Sequence, residues 1–495
     1  MLQTDSRSGI QFLTWPLCLS PAGCAGCAGC EGKELEECAR RTLLHVAAFL
    51  GDTLIARLLL GLAPRLATAA DKGGRTPLFE AARGGSAATV HVLLAAAPKT
   101  ATLPTQAGLL PVHVAAQARA AEALKLLLQA APSTATAVTH EGSTPLWLAA
   151  GSGDQETIDV LLQAAPECAT AADPDSRLPI HCAAHMGWSE AVRQLLHAAP
   201  GTGAAAGRDG CTPLHLAARS GHAAVVRVLL QAAPATATAT DRGGYTPLII
   251  AAAAGHSKVV ALLLQAAPQT ATVAESMGRS PVLAAAQFGH VGVLRLLLAA
   301  APASAAVADD MGWPPVAVAA SGGHVEAMQL LLEAAPESAA LAANDGSVPL
   351  HVPAWHGQLA AVELLVEAAP GTATARDQSG GAPLHAAASN NHAVVVRALL
   401  HACPQARRYC RGWCLPVSRQ LACPRSQPPG FAPLPRTHTS LHRPAPCQQA
   451  AAMRMANGLT PAKGCAVWGS SGGCRPLPAC LRRCSRGARG AGGCS

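Results

Sequence analysis

Between residues 42 and 404 the apolar positions repeat a fixed pattern. In its clearest form, Leu214, Ala217 and Ala218 make one narrow apolar face at helical spacing. Val225, Val226, Leu229 and Leu230 make a second face of the same kind, a few residues on. The pattern therefore predicts two short amphipathic helices per unit. The segment Thr212-Pro213-Leu214-His215-Leu216-Ala217-Ala218 marks the start of such a unit, and its counterparts begin at 42, 76, 110, 144, 178, 212, 246, 280, 314, 348 and 382. Every step is 34 residues, and a second marker keeps the same phase: Pro64, Pro98, Pro132, Pro166, Pro200, Pro234, Pro268, Pro302, Pro336, Pro370 and Pro404.

The polar positions explain where each helix starts and stops. Thr212 can cap a helix through its hydroxyl, and Pro213 suits the first helical position, where no N–H is required. Gly221 can close that helix in a left-handed conformation. Pro234 cannot continue the second helix, since it lacks an N–H and clashes with the preceding turn. Asp241-Arg242-Gly243-Gly244 then reads as a turn before the next Thr246-Pro247.

Thr-Pro-Leu-His, then Ala-Ala, then Gly-His, then Leu-Leu resembles the ankyrin repeat, and the resemblance covers residues 42 to about 404. It implies an all-α solenoid of eleven stacked helix-turn-helix units with disordered N- and C-terminal flanks. Two features depart from the family pattern: the usual period is about 33 residues, and Ala232-Ala233-Pro234 replaces the usual Gly-Ala after the second helix. The extra residue is expected to alter the loop there and not the fold. The tetratricopeptide repeat shares the period but needs aromatic positions that these helices lack. Units 3, 9 and 10 begin with Leu110, Pro314 and Val348 in place of threonine, and unit 3 has Arg119 where the glycine should be. Pro353 falls inside the first helix of unit 10, where a bend is expected.

Composition divides the chain into three. Residues 1–41 form a low-complexity N-terminal segment with the run Cys24-Ala25-Gly26-Cys27-Ala28-Gly29-Cys30. Residues 42–404 form the array, and 405–495 a basic tail rich in Cys, Pro and Gly; both flanks read as disordered. The net charge of +8 hides an asymmetry, with the tail at +14 and the remainder at −6. Of 18 cysteines, only Cys168, Cys182, Cys211 and Cys403 lie inside the array, which argues for a reduced, cytoplasmic protein, with the nucleus as the other compartment considered. No apolar run is long enough to span a membrane.

The residues capable of chemistry mostly recur with the repeat. His45, His113, His181, His215, His351 and His385 share one place in the unit; His222, His256, His290, His324 and His392 share another. Catalysis gives no reason for such recurrence, whereas hydrogen bonds between neighbouring turns do. Acidic residues such as Asp71, Asp241 and Asp377 fall mostly in turns. No serine nucleophile elbow or phosphate loop is present, so no enzyme activity, cofactor or metal site is expected. Arg482, Arg483, Arg486 and Arg489 in the tail supply the alternative reading, a nucleic-acid-associated regulator.

The expected function is a protein-binding scaffold or adaptor of unknown partner. In ankyrin-like stacks the turn tips and inner helices form a concave contact surface, and the variable positions of this sequence map there. The candidate contact residues are Arg75, Arg83, Arg177, Arg219, Tyr245, Arg279, Phe288, Trp313 and Trp355, types that dominate interface energetics. The final helix, Ala393 to Ala402, is largely apolar and offers a route to self-association.

Overall fold

The computed structural model describes residues 41–404. Among these residues there are twenty-two α-helices in eleven consecutive pairs, ten short 3-10 helices and no strand. Unit 6 is representative, with a first helix Pro213–Ser220, a second helix Ala223–Ala232 and a 3-10 turn Pro234–Thr238. First helices pack on the first helices of neighbouring units, second helices on second helices, and each pair on itself. The disorder expected of the two flanks concerns residues outside the described ones.

The core is built from the positions that repeat. Leu214, Ala217, Ala218, Val225, Val226 and Leu229 are completely buried, as are most of their counterparts in the interior units, whereas in unit 1 Ile55 is exposed and Leu59 half-buried. Paired alanines leave no bulk between adjacent first helices, so apolar contact continues from unit to unit. The buried face of the second helix differs slightly from the sequence reading: Val228 is buried and Leu230 only half-buried.

The extra residue after the second helix has a defined role. Ala233 leaves helical geometry, and Pro234 opens the 3-10 turn. The Thr236 hydroxyl donates to the Ala233 carbonyl at 2.6 Å, and Ala237 is buried beneath it. Thr100, Thr134, Thr202, Thr270 and Thr372 make the same bond, with Ser304 and Ser338 standing in for threonine. Pro234 thus turns the chain into a second compact element as well as ending the helix.

Ten of the eleven first helices satisfy their starting N–H groups in one of two ways. Where the fourth motif residue is histidine, its Nδ1 accepts the N–H of the residue that opens the motif, as from Leu110 to His113 at 3.0 Å and from Leu178 to His181 at 3.0 Å. Where it is not, a hydroxyl accepts the first-turn N–H, as Thr144 does from Trp147 at 3.1 Å. Thr76, Thr246 and Ser280 do likewise. Units 3, 5, 10 and 11 lack the hydroxyl at Leu110, Leu178, Val348 and Ala382, and all four have the histidine. Unit 9 has neither, but its opening residue is Pro314, which has no N–H to satisfy.

Pro353 shortens its helix. The first helix of unit 10 runs His351–His356, six residues, starting two residues later than its counterparts. Pro353 then falls in the first turn, where its missing N–H costs nothing.

Three kinds of hydrogen bond run between neighbouring units, in different combinations from joint to joint. An Nδ1 that accepts leaves Nε2 protonated, and His181 Nε2–H donates to the Ala205 carbonyl at 3.1 Å. His45, His113, His215 and His351 also reach forward, to the carbonyls of Arg75, Ala137, Tyr245 and Gly381. The second histidine set reaches back: His222, His256, His290, His324 and His392 donate to carbonyls 37 residues earlier at 2.9–3.1 Å. Trp188 Nε1–H does the same to Gly151 at 3.0 Å. Thirdly, the turn tips form a backbone ladder, as in Gln106 N–H to Gly73 O at 2.9 Å and Arg242 N–H to Asp209 O at 3.0 Å.

At six of the units the backward-reaching ring lies over the glycine that ends the preceding first helix. Gly221 has φ +80°, and a Cβ there would lie 2.7 Å from the His256 ring. Arg119 and Asn391 occupy the same left-handed place at φ 61° and 62°. Over Arg119 the next unit presents Asp154, which caps its own helix through the Thr157 N–H and does not reach back.

Two stability outcomes follow. His181→Phe leaves the Leu178 N–H and the Ala205 carbonyl without partners, and a loss of about 1–3 kcal/mol is expected in urea unfolding. Gly221→Ala meets both left-handed strain and the His256 ring, so it is expected to cost more than the roughly 1 kcal/mol of strain alone. Equal urea midpoints for wild type and either variant would contradict this account.

Candidate interaction surface

The turn tips are rigid because their carboxylates accept backbone N–H groups. Asp241 Oδ1 accepts from Gly243 and Tyr245, both at 2.9 Å. Asp71, Asp173 and Asp309 repeat the arrangement, and each holds the residue just before the next motif in place: Arg75, Arg177 and Trp313. The last turn of each first helix lies beside this row and carries Arg83, Arg219 and, one residue on, Phe288.

These residues differ in how much surface they leave free. Trp313 is 6% exposed and Arg177 8% exposed, so both side chains are taken up within the array. Arg177 stands 3.7 Å from both Asp175 and Asp209. Arg75, Arg83, Arg219, Tyr245, Arg279 and Trp355 are half-buried, and Phe288 is 43% exposed.

The tips bring two of them together. Arg279 Nε donates to Glu275 Oε1 at 3.1 Å, and Tyr245 lies against this pair. Burial and the Glu275 carboxylate push the Tyr245 hydroxyl above its ordinary range. Phe288 stacks near His290 with ring centroids 6.1 Å apart. Trp355 lends its carbonyl to His392. Phe288 and Trp355 stand two units apart.

Arg83 belongs to a cluster that sequence reading missed. Glu80 is completely buried in the first helix of unit 2. Arg41 lies 2.7 Å from its carboxylate and Arg83 3.4 Å from it, while the Arg83 guanidinium covers the Phe49 ring at 4.8 Å. A buried carboxylate needs such partners. The signal was present: Glu80 alone is charged at a motif position that elsewhere holds Val46, Val114, Leu148, Cys182, Leu216, Ile250, Ala284, Val318, Val352 or Ala386.

Burial favours the neutral form of five histidines of the first set. Burial pushes His113 and His181 down to about 4 and lowers His45, His215 and His385. Burial also raises the Cys168 and Cys182 thiols, to about 11 and about 12, so both are protonated and unreactive. Among the described residues no cluster of three or more His, Cys, Asp or Glu could hold a metal ion. No described helix is long and apolar enough to cross a membrane.

Exposed apolar bulk lies mainly at one end. The final helix turns Val395, Val396 and Leu399 inward and leaves Val394 exposed. Unit 1 by contrast exposes Leu43, Leu54, Leu58 and Leu62.

A tandem array of short antiparallel helix pairs, joined through turn tips and a helix-opening Thr-Pro or His, defines a helical repeat protein. Ankyrin repeats match residues 166–241, 233–306 and 283–375 as three-copy stretches, and 141–174 and 379–409 as single repeats. These matches cover more than half of the chain, which belongs to the ankyrin-repeat family. No curated protein matches it. Ankyrin repeats are in general protein–protein interaction modules, and proteins built from them are typically non-enzymatic.

Acid is expected to loosen the array. The unfolded chain binds protons at its histidines near pH 6.5, whereas folded His113 and His181 bind them only near 4. Stability is therefore full above pH 6.5 and declines as pH falls toward 4, by about 3 kcal/mol for each of these two residues. Urea unfolding followed between pH 7.5 and 4.5 checks this, and a flat or rising midpoint in acid would refute it.

Proposed function

We propose that this protein is a non-catalytic adaptor that binds a protein partner along the concave surface formed by the turn tips and the ends of the first helices. The supporting observation is a division of labour among positions. The buried leucines, alanines and histidines hold the array together, while Arg75, Arg83, Arg219, Tyr245, Arg279, Phe288 and Trp355 vary between units and keep accessible surface. Arg83 and Arg279 also hold Glu80 and Glu275, but all seven present surface at the rim of the scaffold, where recognition can differ between proteins of one fold. Arg177 and Trp313 act in this reading by setting the shape of the tips, since their own surfaces are covered. The nucleic-acid alternative rests on the tail, which lies outside the described residues.

The test compares partner recovery by the intact chain and by the Tyr245→Ala, Phe288→Ala, Trp355→Ala triple variant, with thermal unfolding as a folding control. A photo-crosslinker at Tyr245 is compared with one at Lys258, an exposed residue of a second helix. Recovery is expected to fall at least about tenfold, as loss of aromatic anchors does, with crosslinking at Tyr245 only. Undiminished recovery, or crosslinking at Lys258 alone, would rule the surface out.

A further inference from the structure

One stretch of the row holds two basic side chains, His185 and Arg219, that no described carboxylate engages. His185 ends the first helix of unit 5, and Arg219 and Ser220 end that of unit 6. The Ser220 hydroxyl and His185 Nδ1 are hydrogen-bonded at 3.1 Å, which ties the two units together and leaves the other ring nitrogen, Nε2, outside that bond. All three side chains are half-buried and retain exposed surface.

The groups that act on His185 are basic: Arg219 and His222 from unit 6, and from the preceding turn Arg177, which Asp175 and Asp209 already hold. The first helix of unit 4, Pro145–Ser152, has no ionisable side chain. In the second helix of its own unit, Glu190 is occupied by Arg193. Burial, His222, Arg219 and Arg177 all push the His185 imidazole down, and no carboxylate opposes them. Among the described residues no carboxylate pairs with Arg219.

Duty at the helix ends does not explain these cations. Basic groups often sit at helix C-termini to satisfy the last carbonyls. Here the carbonyls of His185 and Arg219 already accept from His222 and His256. Unit 2 shows the contrast: Arg83 stands at the position of Arg219, but buried Glu80 engages it. The neighbouring residues of the row, Gly151, Ala253 and Gln287, are uncharged.

We propose that His185, Arg219 and Ser220 form an oxyanion site on the inner surface between units 5 and 6, which takes a carboxylate or phosphate group presented by the partner. This deepens the reading of the inner row as the contact surface and rests on it. The arriving anion accepts from the Arg219 fork and the His185 Nε2–H, and it stabilises the imidazolium form of His185. Binding is therefore tighter at lower pH.

The test needs no partner, so its failure is separate from a failure of the adaptor reading. Ring signals of His185 in the full chain are followed by NMR against pH, with inorganic phosphate or a hexaglutamate peptide added at constant ionic strength in chloride. The expected result is a rise in the His185 titration midpoint, with His290 unmoved. Affinity is expected to be about tenfold weaker in Arg219→Gln, the worth of a charge-assisted hydrogen bond, and partly restored in Arg219→Lys. Thermal unfolding confirms that each variant is folded. A response to phosphate alone assigns the site to phosphate-bearing ligands, and one to hexaglutamate alone to acidic peptides. If neither probe moves His185, or both act equally on wild type and Arg219→Gln, the site does not exist.

Discussion

No unit of this array completes its own hydrogen bonding, and that constraint governs the rest of the structure. The His181 ring, fixed by the Leu178 N–H at one nitrogen, donates from the other to the following turn. The His222 ring reaches into the preceding unit. The chain therefore takes its register from its neighbours in both directions, and the alanine pairs let those neighbours come close enough for the bonds to form.

This sharing gives the repeat its tolerance. A helix start can lose its hydroxyl if histidine is present, and can lose both if proline removes the donor, as at Pro314. A glycine can become arginine at residue 119 because the following unit presents Asp154 there and not a ring. The departures from the repeat pattern are thus compensated locally, and the bonds between units stay in place around them.

The two-helix unit, its phase and its boundaries were legible because they follow from apolar spacing and from Thr-Pro and Gly at fixed offsets. The forward bonds of the first histidines were legible too, since only a structural duty recurs with the unit. Three things were not. The 3-10 turn was hidden because Pro234 reads as a helix stop, and its threonine bond depends on a carbonyl conformation that sequence does not display. The covering of Trp313 and Arg177 depends on neighbours brought close only by folding. The Glu80 cluster draws on Arg41, Phe49 and Arg83, residues from two units and the lead-in to the first. For the proposed contact surface, sequence named a row of positions but not which of their side chains stay accessible.

The backbone ladder of the turn tips has one interruption. Its donors stand at Gln106, His140, Arg208, Arg242, Ser276, Asp310, Asn344 and Gln378, and Pro174, which fills the missing place, has no N–H to give. Units 4 and 5 are therefore stitched at the tips by one thread fewer, and Trp188 on Gly151 bears more of that joint. A pull along the row of tips is therefore not handed from unit 4 to unit 5 by backbone hydrogen bonds and has to cross through their packed helices.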